Sequence, residues 1–455
     1  MKRGFKIKVF AIFLILVFLI TAGLGCKGGQ QKLAQKVKPV NLVYWRAEDE
    51  SDDFGEIINR FNNIYHQITV TVKIIREEEY KQQLLEAWAE DRGPDIFSIP
   101  VTWLPEYKTK ILPMPSELNM VKTVIVGTIK KEEKLVEEKL PALTLRNLKE
   151  TYVETVPNDI IIDNQFYGLP LSMNVLVLYY NRDLLNNANI PNPPDNWEAF
   201  VEDVKLLTLL DRQGNFVESG VALGSADNVN YLVDILSLLM MQNGATMAEG
   251  NKANFNKSSL VDSSYFPGEE ALRFYTDFAN PAKEVYSWNK KMSFSMEAFI
   301  GGKLAFCFGY PDDLEKIRLM APKLNFDVVP VPQITGSLKQ VNYGNYLVET
   351  VSKKTKYPNE AWAFLLFASQ PENISTFLER AKKPTAHRVL IEKQLADYDL
   401  APFVKGVLTV KTWYKGLNYA LVKETFAEMV RSIENGTMDI GKAIKYGVDK
   451  INLTY

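Results

Sequence analysis

The stretch from Asn41 to Pro100 constrains the fold more than any other part of the chain. "NLVYW" (Asn41 to Trp45) is short, apolar and aromatic, the pattern of a buried strand. Phe54, Ile57, Ile58 and Phe61 then fall at i, i+3, i+4 and i+7, one apolar helix stripe. The alternating "ITVTVKI" (Ile68 to Ile74), a helix carrying Tyr80, Leu84 and Trp88, and "GPDIFSIP" (Gly93 to Pro100) complete a strand-helix-strand-helix-strand unit. Such a unit implies a parallel sheet covered on both faces, with ligands bound outside the carboxyl ends of the strands. Trp45 and Arg46 stand at one such end, and Pro100 to Trp103 at another.

Between the first strand and its helix, Glu48 to Asp53 place five acids within six residues. Ser51 is positioned as an N-cap, and the acids oppose the positive end of the helix dipole. The cluster is therefore read as a helix start. Its spacing departs from the D-x-[DN]-x-[DN]-G calcium loop, so no metal is expected, and no cofactor.

A chain of 455 residues with 46% hydrophobic content exceeds one ordinary core, which predicts two lobes. The balance of 53 basic against 55 acidic residues gives no electrostatic reason to expect nucleic acid as a partner. At the amino end, "MKRGFKIK" supplies four cations, the apolar run Val9 to Ile20 follows, and "TAGLGC" ends in Cys26. This is the pattern of an export signal, and the run is too short for a preferred membrane span. "AGLGC" resembles a lipobox, with Gly23 where Leu is usual, so Cys26 is the expected lipidation site. Lys27 to Lys38 reads as a flexible tether. Once residues 1–26 are removed, only Cys307 remains, within apolar "LAFCFG", which predicts an inert buried thiol and no internal disulfide.

Further along, the Lys and Glu runs of residues 115–150 predict a helical, solvated segment. Asn196 is expected to open a helix, Tyr231 to Met241 to form an apolar one, and Leu417 to Glu434 an amphipathic one. His66 and His387 stand in polar surroundings without a serine or cysteine motif, which gives no support to a nucleophilic triad. "GGKL" at 301–304 lacks the rest of a phosphate loop and reads as a helix end.

The segments "EIINRFNN", "ITVTV", "LLEAWAEDRGPDIF", "YGLPLSMNVLVLYYNRDLL", "PDNWEAF", "EAFIGGKLAFCFGY", "FDVVPVP" and "NEAWAFLLF" occur in the order seen in extracellular solute-binding proteins of family 1. The chain resembles those lipoproteins across residues 41–436. The resemblance implies an α/β type II periplasmic-binding-protein fold of two lobes, each a mostly parallel sheet flanked by helices, joined by a hinge. It divides the chain into a signal (1–26), a tether (27–39), a first lobe (40–173 and 325–352) and a second (174–324 and 353–455). Crossings are expected near Met173, Phe326 and Val351. The implied function is capture of a carbohydrate in the interlobe cleft and its delivery to the permease subunits of an ABC importer. The implied protein is a monomer, lipid-anchored at the outer face of the cytoplasmic membrane or periplasmic, and performs no chemistry.

Sugar rings need flat aromatics to stack on and hydrogen-bonding side chains at the rim. By the resemblance, the expected ligand contacts are Trp45, Arg46, Glu48 and Trp103 in the first lobe. Asn174 lies at the first crossing, and Asp227, Asn228 and Asn230 in the loop after "VALG". Tyr310 stands where relatives often carry Trp, Tyr343 and Asn345 on the returning strand, and Trp288 and Trp413 are additions. Arg46 also keeps an acidic sugar open, since guanidinium matches carboxylate bidentately. Two other readings compete. An envelope hydrolase would place two carboxylates, such as Glu48 and Asp227, across a glycosidic bond. A receptor or adhesion lipoprotein would reuse the fold without a transporter.

Overall fold

The computed structural model describes residues 38–47, 54–127 and 132–455. The signal segment, Cys26, Glu48 and Ser51 lie outside the described residues.

The first strand, Val40–Ala47, pairs in parallel with Ile68–Ile75 on one side and with Ile96–Pro100 on the other. Leu347–Val351 closes this sheet antiparallel to Ile96–Pro100. The helices Gly55–Asn62 and Glu77–Ala89 connect the parallel strands, as the apolar stripes predict. Ile57 and Phe61 from one, and Tyr80, Leu84 and Trp88 from the other, are buried in the first core.

The second sheet runs Leu209–Leu210, Phe216–Val221, Leu304–Gly309, Val177–Asn181, Phe326–Pro330. Here only the pairing of Phe216–Val221 with Leu304–Gly309 is parallel. The strand Val177–Asn181 runs antiparallel to both of its neighbours. The expected mostly parallel character thus holds for the first sheet and not for the second. Around the second sheet pack Trp197–Leu207, capped by the Asn196 side chain, the apolar helix Leu232–Gln242 and the helix Tyr419–Glu434. Cys307 is buried in the strand Leu304–Gly309, and burial pushes its thiol up. The helix Ser295–Ile300 ends at Gly301 and Gly302, as "GGKL" suggests.

Between the cores lies a small sheet of Asn174–Val175, Asn342–Asn345 and Val410–Lys411. Met173 and Val175 belong to the first core and Leu176 to the second, so the chain passes from one to the other at this point. The other two differ. Phe326 lies inside the second sheet and Val351 inside the first, and the chain crosses near Asn342–Tyr346 and again near Val404–Trp413. Ala361, Trp362, Phe364, Phe377 and Ile391 consequently pack in the first core, although 353–455 was expected in the second. Apolar stripes fix that a helix is buried but not against which of two apolar sheets.

Two further expectations are corrected. Residues Glu117–Val126 and Glu132–Pro141 form an antiparallel hairpin instead of helix. The β-branched run at Val121 to Val126 favours a strand, and the charges pair across it, as Lys139 does with Glu117 at 2.8 Å. His66 is exposed as expected, but His387 is 1% exposed, with its ring 4.4 Å from that of Tyr152. Burial pushes its pKa down to about 4, so it is a neutral packing residue.

Candidate functional site

Beside the small sheet, the second core carries a belt of phenols held by buried carboxylates. Tyr310 follows the strand Leu304–Gly309 and donates its hydroxyl to Asp234 at 2.8 Å. Tyr419 donates to the same carboxylate at 3.4 Å, and Tyr343 joins both Asp234 and Tyr419 through its hydroxyl. Tyr231 meets the Tyr310 ring edge-on at 4.9 Å and donates to Asp313 at 3.0 Å. Tyr231 holds a left-handed φ of 60° immediately before the helix Leu232–Gln242, an unusual conformation for a bulky residue. That helix then turns Asp234 inward as an acid within an otherwise apolar segment.

On the first-core side, Asp159 accepts from the hydroxyls of Tyr346 at 2.7 Å and Thr412 at 2.6 Å, and pairs with Lys415. Trp103 is half-buried, stacked on Tyr107 at 5.8 Å, with the Lys81 ammonium 4.9 Å above its ring. Glu106 holds Lys81 at 3.0 Å. Asn174 and Asn345 are register partners in the small sheet, and Asn174 donates to Asp312 at 3.2 Å.

Of the expected contacts, Tyr310 and Tyr343 belong to this belt, 5% and 2% exposed, and Asn174 and Asn345 lie in the small sheet beside it, whereas Trp103 stands on the first core against Tyr107. The others are placed differently. Arg46 is 2% exposed, paired with Glu349 at 3.0 Å and bonded to the Tyr44 hydroxyl at 2.7 Å, with Phe54 4.7 Å beneath it. Residues 44 and 46 point to one face of their strand, where Glu349 meets them. Trp45 points to the other face, 8% exposed, under the ammonium of Lys73. Trp288 is fully buried and donates to Asn228 at 3.0 Å. Asn228 also donates to the carbonyls of Asn289 and Met292, while Asn230 accepts from Ser295 and Met296. Their amides thus tie their loop to the segment between Asn289 and Met296. Asp227 pairs with Arg431 at 2.7 Å on the surface, and Trp413 packs on Phe426 while donating to Ser237.

Tyr231, Asp234, Asp313, Tyr419 and Asp159 were not anticipated. The one available signal is Asp234, a lone acid inside "YLVDILSLLMM", since acids are almost never fully buried without a purpose. A separate cavity of about 350 Å³ lies among Arg182, Arg318, Phe326 and Tyr398, and none of the belt tyrosines line it.

Burial pushes both Asp234 and Asp313 up from 3.8 to about 6. The folded chain therefore retains protons that the unfolded chain has released, so this contribution to stability is complete below the ordinary carboxylate range and is lost as pH rises through about 6. Asp234→Asn should accordingly gain stability relative to the wild type as pH rises from about 4 to about 7. Urea midpoints of both proteins at the two pH values check this, and an unchanged difference would contradict it. The opposing titration of His387 is common to both proteins.

Two α/β cores joined by a small sheet define a two-lobed protein of the kind that binds solutes between its halves. Residues 47–374 match the family described as bacterial extracellular solute-binding protein, and the chain belongs to it. A putative binding protein of Brucella abortus (strain 2308) is 26% identical over 232 residues, 49% of this chain and 51% of its own. The galactooligosaccharide-binding protein of Bacillus subtilis (strain 168) is 21% identical over 407 residues, 86% of this chain and 82% of its own. The chain spans about half the length of the first curated relatives it matches. Among solved structures, a cyclo/maltodextrin-binding protein complexed with maltotetraose superposes with a TM-score of 0.69 at 16% identity, covering 91% of this chain and 97% of that one. A Listeria monocytogenes substrate-binding protein in complex with cycloalternan gives 0.67 at 16% identity, covering 92% and 99%. These likenesses establish the fold. The family's extracellular character places the chain outside the cytoplasm, and among the described residues no helix is long and apolar enough to cross a membrane.

Proposed function

We propose that this protein captures a carbohydrate between its two cores and delivers it, unchanged, to the permease subunits of an ABC importer. The observation that carries the reading is the belt of Tyr231, Tyr310, Tyr343 and Tyr419 organised by Asp234 and Asp313. Phenol faces suit the apolar faces of sugar rings, and the ordered hydroxyls and carboxylates suit their hydroxyl rims. The names of the relatives and solved structures, which bind maltodextrins, galactooligosaccharides and other oligosaccharides, support it. Trp103, Asn174 and Asn345 complete the proposed contacts from the first core and the hinge. Rotation about the hinge sheet would close the cleft over the ligand. The protein acts as a monomer, anchored through lipid on Cys26.

A thermal-shift screen of the chain from Lys27 onward against mono- and oligosaccharides tests this. A ligand at one hundred times its Kd should add about 2.7 kcal/mol of stability. Tyr310→Ala should weaken that ligand by about tenfold or more, since a stacked aromatic is a typical binding hot spot. The bound sugar should be recovered intact, and scattering should show compaction. Reducing-sugar release, or no compaction with a tight ligand, would defeat the reading.

A further inference from the structure

The charges along the belt narrow the ligand further, and this step rests on the carbohydrate reading above. Asp159, Asp234 and Asp313 are each less than one-tenth exposed. Asp234 is served by the neutral hydroxyls of Tyr310, Tyr343 and Tyr419, and Asp313 by Tyr231 and a backbone amide. Among the described residues, no lysine or arginine forms an ion pair with Asp234 or Asp313. Lys423 and Lys316 influence them only through space, and Lys415 is committed to Asp159. Lys383 lies 3.9 Å from Asp312. The guanidinium best placed by sequence to receive an anion, Arg46, is enclosed in the first core with Glu349.

We propose that the cleft selects neutral or amine-bearing carbohydrates and rejects those carrying a carboxylate or phosphate, with Asp234 as the principal discriminating residue. Each phenol that donates to Asp234 keeps oxygen lone pairs for sugar hydroxyls. An ammonium would meet aromatic faces backed by a carboxylate, the arrangement that favours cations in aromatic cages. An anion would meet two carboxylates in a poorly solvated setting, where like-charge repulsion is strong. At neutral pH Asp234 is mostly ionised even with its pKa raised to about 6.

The test is calorimetric titration of the full-length protein in detergent at neutral pH. The probes are α-1,4-, β-1,4- and β-1,3-linked tetrasaccharides, each in neutral, amine-bearing and uronate form. Within any linkage that binds, the uronate should be weaker than the neutral sugar by about a hundredfold, and the amine-bearing sugar at least as tight as the neutral one. Asp234→Asn should shrink the uronate penalty to about tenfold or less. Should that variant not fold, salt decides. Raising sodium chloride from about 50 to about 500 mM should weaken the amine-bearing ligand and strengthen the uronate in the wild type. A uronate binding within tenfold of its neutral counterpart, or salt effects of the opposite sign, would overturn the inference and leave the carbohydrate reading intact. No binding in any linkage would overturn both.

Discussion

Arg46→Ala is expected to cost ~3–5 kcal/mol of folding stability, because it leaves the carboxylate of Glu349 buried without its guanidinium. Both side chains are at most 2% exposed, so water cannot replace the lost partner. The Tyr44 hydroxyl, which donates to Glu349 at 2.6 Å and accepts from Arg46 at 2.7 Å, loses one of its two bonds at the same time. Replacing the pair together, Arg46→Met with Glu349→Leu, should come within ~1 kcal/mol of the wild type, since a packed apolar pair carries no desolvation penalty. Urea unfolding of the three proteins decides the matter. The sequence-level alternative, an anion-binding Arg46, predicts the reverse pattern of lost ligand affinity at unchanged stability.

Trp288→Ala is the second large effect, expected at ~3–5 kcal/mol because it opens a cavity in the second core. The indole is fully enclosed, and its removal also takes the donor that Asn228 accepts at 3.0 Å. That bond links Trp288 to the loop carrying Asn228 and Asn230, so the damage reaches beyond the cavity. Trp288→Phe should cost less, since most of the apolar volume stays. Affinity for a sugar should be retained by folded Trp288→Phe protein, because the indole donates to Asn228 and not to a belt residue. A loss of affinity at unchanged melting temperature would return Trp288 to the ligand site and contradict this assignment.

These two residues show where reading the chain stops. A tryptophan and an arginine at a strand end satisfy the chemistry of sugar and anion binding equally well whether they face the cleft or the core. Face is set by alternation along Val40–Ala47, and what lies on each face is set by Glu349, three hundred residues away in sequence. Tyr310 and Tyr343 could be placed at strand ends from the sequence, because one follows Leu304–Gly309 and the other lies at the start of Asn342–Asn345. Their partners Tyr231, Asp234 and Tyr419 could not, since they sit at or inside helices whose orientation only packing fixes. The hairpin Glu117–Pro141 failed for another reason. Its alternating lysines and glutamates suit a solvated helix as well as cross-strand pairs, and only the approach of the second strand decides between them.

By itself the sequence determined the first parallel strands and their helices, the presence of two cores, the buried Cys307 and the family, because these depend on local periodicity and on the order of short segments. Tertiary structure alone decided which sheet received residues 353–404, where the chain crosses between cores, and which carboxylates face the boundary. Those outcomes depend on contacts between groups far apart in the chain, whose burial and charge pairing no local pattern encodes.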